Sequence, residues 1–357
     1  MIKIKLTPLV LILFLFLRLN AQQPSKATEF KNENELKSYI AQVQKQYNIP
    51  GLAVAIIKNG KVIYKTNYGH ANVELSVPVT DKTLFPLFST SKVISVVAVY
   101  QLVEQKKITL ENYISDFITD LPDSWKNVQI KNLITHSSGL PDIVNYSSDK
   151  EEDAKQKVYK DTIKFEPGNR FDYNQTNYWL INRIFQKVVG KTLSEYIMDT
   201  QFHSSLGSVV YEGNNMKVVQ NLSYGYLNTP NSNQLLKRNW SFPEFLYGAA
   251  ALNMTLNSFI EWNNKFDNGE LISDKTKTQL FTAFNFKQPR DFTYGLEIIR
   301  INNELSYGFS GGISTAYRKF IDRNLTIILL ANGMFIPTDK LNGINEVVNN
   351  IVIIAEK

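Results

Sequence analysis

Hydrophobic positions along the chain predict β-strands near both of its ends. Residues 52–57 form a short apolar run and residues 62–65 alternate, and Asn59-Gly60 between them is a typical two-residue hairpin turn. Toward the C-terminus, four further segments alternate or run apolar as antiparallel strands do, at residues 292–301, 305–308, 313–322 and 325–331. We therefore expect both ends of the chain to contribute to one antiparallel sheet.

Other segments show the spacing of helices. Residues 35–47 are amphipathic and predict a surface helix, and a closing helix is expected at 341–354. Residues 179–189 predict a helix that ends at Gly190, whereas residues 93–103 are apolar on nearly every side, as in a buried helix. Residues 111–245 are mostly helix and loop by pattern.

These patterns predict an α+β fold in which an antiparallel sheet is flanked by helices and carries an inserted, mainly helical region. The sheet region is expected at residues 35–110 and 246–357, and the helical region at 111–245. Together they would form a single domain over residues 35–357.

The N-terminus has the features of a secretory signal peptide. Lys3 and Lys5 precede an apolar run at residues 9–17, and Ala21 ends the stretch. The run is too short to span a bilayer. We therefore predict a signal peptide at residues 1–21, a polar linker at 22–34, and a periplasmic or secreted bacterial protein that spans no membrane once the signal is removed.

Composition narrows the possible partners. The chain has 39 basic and 33 acidic side chains, a net charge of +6, and loses three basic residues with the predicted signal. A mature charge of +3 is too mild to indicate nucleic-acid binding. The absence of cysteine excludes disulfides and a lipoprotein anchor alike.

The candidate nucleophile is in Ser89-Thr90-Ser91-Lys92, at the head of the apolar helix. A serine and a lysine three residues apart share one helical face, so the amine can reach the hydroxyl. Ser-x-x-Lys is an established way to activate a serine without histidine. The alternative interpretation is a serine that caps the helix and a lysine that faces solvent.

Two other motifs are alternative candidates for the nucleophile. Ser147 to Lys150 also fits Ser-x-x-Lys, but it lies in a polar run that predicts a solvated loop with no apolar helix behind it. Residues 308–312 fit the Gly-x-Ser-x-Gly elbow of α/β-hydrolases, in which the histidine follows the serine. Every histidine of this chain precedes Ser310, so that assignment fails.

No cofactor is predicted. The chain has no cysteine, no His-Glu-x-x-His and only three scattered histidines, so a metal site is poorly supported. Neither a P-loop nor a Gly-x-Gly-x-x-Gly pattern indicates a nucleotide.

Four further segments follow Ser-x-x-Lys along the chain, and their order is informative. They are LITHSSGLP at residues 133–141, FDYNQTNY at 171–178, GAAALNMT at 248–255 and Phe309-Ser310-Gly311. Together with Ser-x-x-Lys they resemble the serine beta-lactamase-related family, which comprises class C beta-lactamases, DD-peptidases of the penicillin-binding type and their esterase relatives. The resemblance extends from about residue 49 to residue 331.

The resemblance implies a role for each motif. Ser89 would be the acylated nucleophile, Lys92 its base and Tyr173 the proton relay, and the backbone N–H groups of Ser89 and Gly312 would form the oxyanion site. Lys92 can act as a base only as a neutral amine, a form that burial favours. The expected substrate contacts are Gln175, Phe309, Ser310 and Gly311.

Two residues depart from the family pattern. Gln175 stands where asparagine is usual, and Phe309 stands where lysine or histidine would hold a substrate carboxylate. We therefore expect a serine hydrolase for a small ester, amide or D-amino-acid peptide, closer to an esterase or DD-peptidase than to an efficient beta-lactamase. The alternatives are a catalytically weak or inactive protein that binds cell-wall peptide fragments, and one that recognises a partner protein.

Overall fold

The structure is a computed structural model that describes residues 32–146, 148–203, 205, 207–229, 234–301, 303–338 and 343–357. The predicted signal peptide, most of the predicted linker and Ser147 lie outside the described residues. Within the described ranges, no helix has both the length and the apolar composition needed to cross a bilayer.

Helices and strands follow one another in runs along the chain. Helices α1 to α10 span Glu33–Tyr47, Ser91–Glu104, Ile130–Ile134, Glu151–Val158, Thr176–Val189, Leu193–Gln201, Tyr247–Ala250, Leu256–Asp267, Asp274–Phe281 and Ile344–Glu356. Strands β1 to β12 span Gly51–Lys58, Lys61–Asn72, Val77–Pro78, Phe85–Pro86, Val209–Tyr211, Tyr226–Asn228, Leu235–Lys237, Leu252–Met254, Glu297–Ile301, Glu304–Gly311, Thr315–Phe320 and Leu325–Ala331.

The largest sheet in the described residues joins both ends of the chain, as expected. Its seven strands lie in the order β3-β2-β1-β12-β11-β10-β9, and neighbouring strands are antiparallel. Asn59 and Gly60 connect β1 to β2 with φ values of 51° and 72°. Positive φ at both positions matches the twist of a two-residue hairpin. The sheet with flanking helices confirms the predicted α+β fold class.

A separate hydrophobic core lies on each face of this sheet. Successive residues of a strand point to opposite faces, so Val54 and Ile56 pack with α1 and α10, whereas Ala53 and Ala55 face the helical region. The small side chains of these two alanines suit strand β1 to the contacts that α8 makes with it. One face of the sheet therefore packs against α1 and α10, and the other packs against the helical region that contains the predicted nucleophile.

Helix α2 lies in the core of the helical side. Its residues from Ser91 to Tyr100 are all buried, which confirms the helix predicted from an apolar run without a polar face. Ser89 lies just before α2, in the short 3₁₀ turn Phe88–Thr90. The buried helix thus fixes the position of the predicted nucleophile and lysine.

Some local predictions were wrong. The strand expected from residue 292 begins at Glu297, because residues 292–296 form a turn in which the Thr293 N–H donates to the carbonyl of Leu296 at 2.8 Å. The polar run expected as a loop becomes α4 from Glu151 onward. Its first turn is acidic and its last turn basic, which suits the helix dipole. The middle region also contains the short strands β5, β6 and β7, which periodicity did not predict.

Candidate active site

The hydroxyl of Ser89 is the meeting point of two other side chains. The Tyr173 hydroxyl donates a hydrogen bond to Ser89 Oγ at 2.6 Å, and Lys92 Nζ lies 3.5 Å from the same oxygen. Tyr173 is 38% exposed, whereas Lys92 is fully buried. Ser89 itself is partly exposed, so its hydroxyl can be reached from solvent, whereas Lys92 is enclosed by the protein.

Lys92 is held by a carbonyl and by aromatic rings. Its Nζ donates to the carbonyl of Ala249 at 2.8 Å and lies 4.9 Å from the ring centroid of Tyr173 and 5.0 Å from that of Tyr178. In the part of the chain that the structure describes, no carboxylate forms an ion pair with Lys92. The GAAALNMT segment, which contains Ala249, thus contributes a backbone acceptor that orients the amine.

His136 packs directly against the tyrosine. Its ring centroid is 4.5 Å from that of Tyr173, and its Nδ1 accepts the Asn174 N–H at 3.3 Å. With Nδ1 as an acceptor, a neutral imidazole carries its hydrogen on Nε2. Burial lowers the pKa of His136 well below its ordinary value. His136 is therefore a neutral packing residue that fixes the ring of Tyr173.

Gln175 is at the start of α5, where its backbone is engaged. Its N–H donates to Asp142 Oδ1 at 3.0 Å, and the described residues offer its side-chain amide no hydrogen bond. Burial raises the pKa of the Asp142 carboxyl, and the N–H groups of Gln175 and Val144 oppose that rise. The contact ties the LITHSSGLP segment to the FDYNQTNY segment.

Phe309 occupies the third-motif position on strand β10. It is buried, and its ring centroid lies 6.4 Å from that of Tyr173 and 6.1 Å from that of Phe292. Strand β9 pairs with β10 only as far as Gly308, so the strand edge from Phe309 onward is free of β9. An aromatic cluster thus stands where the family pattern has a cation.

The Ser310 side chain is part of an ion-pair network. Arg318 Nη2 donates to Ser310 Oγ at 2.8 Å and to Glu297 Oε2 at 2.7 Å, and the Ser310 N–H donates to the same carboxylate oxygen at 3.3 Å. Arg318 is fully buried and Glu297 is partly exposed. The structure thus engages Ser310 in a contact between strands, and it places a carboxylate beside the third motif.

The glycines after Ser310 allow β10 to approach the turn Phe88–Thr90, which we call the nucleophile turn because it contains the predicted nucleophile Ser89. A Cβ on Gly311 would lie 2.2 Å from the carbonyl oxygen of Leu87, and one on Gly312 would lie 2.6 Å from the Phe88 ring. Gly312 has a φ of 56°. The end of β10 therefore lies against the residues that immediately precede Ser89, which is the arrangement an oxyanion site needs.

The structure brings the predicted residues together to different degrees. Ser89, Lys92 and Tyr173 meet at one oxygen, the two glycines contact the same turn, and Phe309 reaches Tyr173. The side chains of Gln175 and Ser310 do not contact this centre. Among the described residues, no group of three or more histidine, aspartate or glutamate side chains is arranged to hold a metal ion.

Sequence reasoning missed several residues around the site. Each of these residues contacts a residue more than ten positions away along the chain; they are His136, Ala249, Glu297 and Arg318. For His136, in the LITHSSGLP segment, the sequence favours a hydrogen-bonded loop residue over a base, whereas the GAAALNMT segment includes Ala249 without indicating a role. No local signal pointed to the glutamate or the arginine.

Comparison with known proteins adds to this geometry. A family model described as Beta-lactamase matches residues 36–346. The teichoic acid D-alanine hydrolase of Staphylococcus aureus (strain MRSA252) is 26% identical over 320 residues, which cover 86% of this chain and 77% of that protein.

Solved structures share the fold. The penicillin binding protein from Bacillus halodurans has a TM-score of 0.71 at 21% identity, covering 88% of this chain and 98% of that one. The D-amino acid amidase from Ochrobactrum anthropi SV3, solved with L-phenylalanine amide, has a TM-score of 0.74 at 18% identity, covering 90% of this chain and 99% of that one.

Proposed function

The chain belongs to the beta-lactamase family, and we propose that it is an exported serine hydrolase that forms an acyl-enzyme on Ser89. One observation carries the proposal, namely that the Tyr173 hydroxyl and the Lys92 amine both lie within 3.5 Å of Ser89 Oγ. A serine hydroxyl is a weak nucleophile by itself and needs such a base in contact. The proposed substrate is a small ester, amide or D-amino-acid peptide.

Acylation would begin with attack of Ser89 Oγ on the substrate carbonyl. The hydroxyl proton passes to Lys92 Nζ, and the carbonyl oxygen becomes an anion that accepts hydrogen bonds from the Ser89 and Gly312 N–H groups. Loss of one such donor typically costs about 10²–10³ in rate. When the intermediate collapses, the leaving alcohol or amine takes its proton through Tyr173, and an ester to Ser89 remains.

Deacylation would repeat these steps with water. The water gives its proton to the same Lys92–Tyr173 pair as its oxygen attacks the ester carbonyl. The second tetrahedral intermediate then expels Ser89 Oγ, which recovers a proton, and the carboxylic acid leaves. Acid–base positioning of this kind typically contributes about 10²–10⁴-fold.

The third motif favours an ester or amide substrate without a carboxylate beside the scissile bond. Phe309 supplies no cation there, and the Arg318 guanidinium beside Ser310 is already paired with the carboxylate of Glu297. The relative named as a teichoic acid D-alanine hydrolase is consistent with a substrate that carries D-alanine. We therefore place esterase activity ahead of beta-lactam hydrolysis.

A second candidate function rests on the same two departures. Phe309 and Gln175 replace residues that the family pattern uses to hold substrate, so a protein that binds cell-wall peptide fragments without turnover is the alternative. Steady turnover of an activated ester that is lost in Ser89→Ala would exclude it.

A fluorescent fluorophosphonate tests the nucleophile, with p-nitrophenyl acetate as the turnover substrate. The wild-type protein should be labelled and should release p-nitrophenol, and Ser89→Ala should do neither. Ser147→Ala is the matched control because it removes the other Ser-x-x-Lys serine, and it should keep both activities. An unlabelled wild type, beside a control hydrolase that labels, would count against the proposal.

A further inference from the structure

Both segments that frame the proposed oxyanion site have an unusual backbone. Phe88, immediately before Ser89, has a φ of 47°, and Gly312 and Ile313 both have a φ of 56°. Left-handed φ is rare for bulky and β-branched residues and costs free energy that surrounding contacts must offset. Contacts from other parts of the fold must therefore hold both segments in place.

Arg238 contacts both of them. Its guanidinium carbon lies 4.4 Å from the ring centroid of Phe88, and its Nη1 donates to the carbonyl of Gly312 at 3.1 Å and to Ser314 Oγ at 3.2 Å. Arg238 follows β7, and its own N–H donates to the carbonyl of Gly225 at 2.8 Å. A residue far from Ser89 in sequence thus connects the nucleophile turn to the β10–β11 turn.

We propose that Arg238 is a positioning residue for the oxyanion site, which it maintains by clamping the Phe88 ring and the Gly312 carbonyl in one arrangement. The inference rests on the proposed function, because the N–H groups of Ser89 and Gly312 matter only if an oxyanion forms. Arg238 itself touches no reacting atom.

The chemistry of arginine fits this task. A planar guanidinium stacks on an aromatic face and at the same time donates hydrogen bonds in its own plane, which a lysine ammonium cannot do. Among the described residues, no carboxylate forms an ion pair with Arg238. The side chain is therefore committed to the ring and the turn rather than to a salt bridge.

Other neighbours of Phe88 do not replace this link. Trp240 and Phe242 pack against its ring with centroid distances of 5.1 Å and 6.5 Å. They support the ring, but the hydrogen bond to the Gly312 carbonyl comes from Arg238 and from Ser314 Oγ, which is part of the same turn. Loss of Arg238 should therefore loosen the relation between the two segments and leave the packing of Phe88 largely intact.

The surroundings of Arg238 allow a direct chemical test. The residue lines a cavity of about 400 Å³, together with Tyr224, Lys237 and Asn239. Truncation of the side chain to alanine would open a space beside that cavity in which a free guanidinium ion fits. Binding of that ion can restore a positioning role, because the same stacking and hydrogen bonds can form again.

The test compares Arg238→Ala, Arg238→Lys and Lys237→Ala with the wild type in p-nitrophenyl acetate turnover. Loss of an oxyanion donor sets an upper limit of about 10²–10³, so Arg238→Ala should lower kcat by roughly ten- to a hundredfold while KM changes less than about threefold. Guanidinium at millimolar concentration should restore part of kcat with saturation. Arg238→Lys should be intermediate, and Lys237→Ala should match the wild type.

Two results would overturn the inference. The first is an Arg238→Ala enzyme with wild-type kcat. The second is a loss of kcat that guanidinium does not restore and that equals the loss of folded protein in urea unfolding, since that pattern indicates a role in stability alone. A wild-type protein that neither turns over ester nor labels at Ser89 would instead refute the proposed function, and this inference with it.

Discussion

At the scale of single residues, sequence spacing predicts some of the contacts at the site but not others. Ser89 and Lys92 are three residues apart on one helix, so their meeting could be predicted from periodicity. Tyr173 could be predicted only from the order of motifs, because 84 residues separate it from Ser89. Arg238 could not be predicted at all, because nothing local distinguishes it from a surface arginine.

His136 makes the stability of the folded protein depend on pH. Its pKa is about 6.5 in an unfolded chain, and burial lowers that pKa in the folded protein. The folded state therefore binds fewer protons at low pH. The stabilisation from neutral His136 is complete above about pH 6.5 and is lost as the pH falls toward the folded pKa.

We predict that the free energy of unfolding of the wild type falls between about pH 7.5 and 5.5, by at most about 1.4 kcal/mol per pH unit from this group. Urea unfolding at several pH values measures the slope. His136→Asn should flatten it, since asparagine does not titrate and tolerates the left-handed φ of 53° at this position.

The control for this experiment is His203→Gln, which removes an exposed histidine and should keep the wild-type slope. Equal slopes in the wild type and His136→Asn would contradict the prediction.

At the scale of elements, the hydrophobic pattern was informative for elements that bury either one face or nearly all of their residues. It predicted α1, α2, α10 and the β1–β2 hairpin because each carries a regular apolar pattern. It failed for α4, in which Ala154 and Val158 are the buried positions and most other residues are charged. A helix stabilised by its terminal charges and a few contacts leaves little trace in a hydrophobic pattern.

The end of strand β10 shows why a motif glycine is needed. Gly311 lies so close to the nucleophile turn that a Cβ would be 2.2 Å from the Leu87 carbonyl oxygen and 2.7 Å from Thr90 N. Backbone atoms at both contacts cannot move aside without moving Ser89. The motif therefore requires glycine for close packing of two backbones, a role distinct from the substrate contact that the sequence suggested.

We predict that Gly311→Ala lowers kcat at least tenfold, because it separates β10 from the turn, and destabilises the fold by about 1–3 kcal/mol, as overpacking typically does. Urea unfolding and p-nitrophenyl acetate turnover measure the two effects. Gly60→Ala is the matched control, since no atom lies within 4 Å of its added Cβ. It should cost about 1 kcal/mol of left-handed strain and no activity. Wild-type turnover in Gly311→Ala would rule out the packing argument.

At the scale of the whole molecule, one sheet separates two hydrophobic cores, and only one of them contains residues of the candidate site. The core on the α1 and α10 side contains none of the site residues, whereas the opposite core contains α2, Phe309 and much of the helical region. That both chain ends form the sheet could be predicted from apolar runs. Which face carries the site could not, because a strand buried on both faces lacks the alternation that distinguishes them.

This division allows stability to be changed without changing the chemistry. Ile351 on α10 is fully buried in the far core, and truncation of a buried isoleucine to alanine typically costs about 2–5 kcal/mol. We predict that Ile351→Ala lowers the free energy of unfolding by that amount while kcat per labelled active site stays within twofold of the wild type. Urea unfolding and fluorophosphonate titration measure the two quantities.

Ile353 offers a control on the same helix, since it is 40% exposed and its truncation should change stability by well under 1 kcal/mol. Cores are close-packed and transmit strain, so a cavity behind the sheet tests whether β10 to β12 shield the site from it. A drop in kcat per labelled site that follows the loss of stability would show that the two cores act as one. Unchanged kcat would mean that the sheet isolates Ser89 from the far side of the molecule.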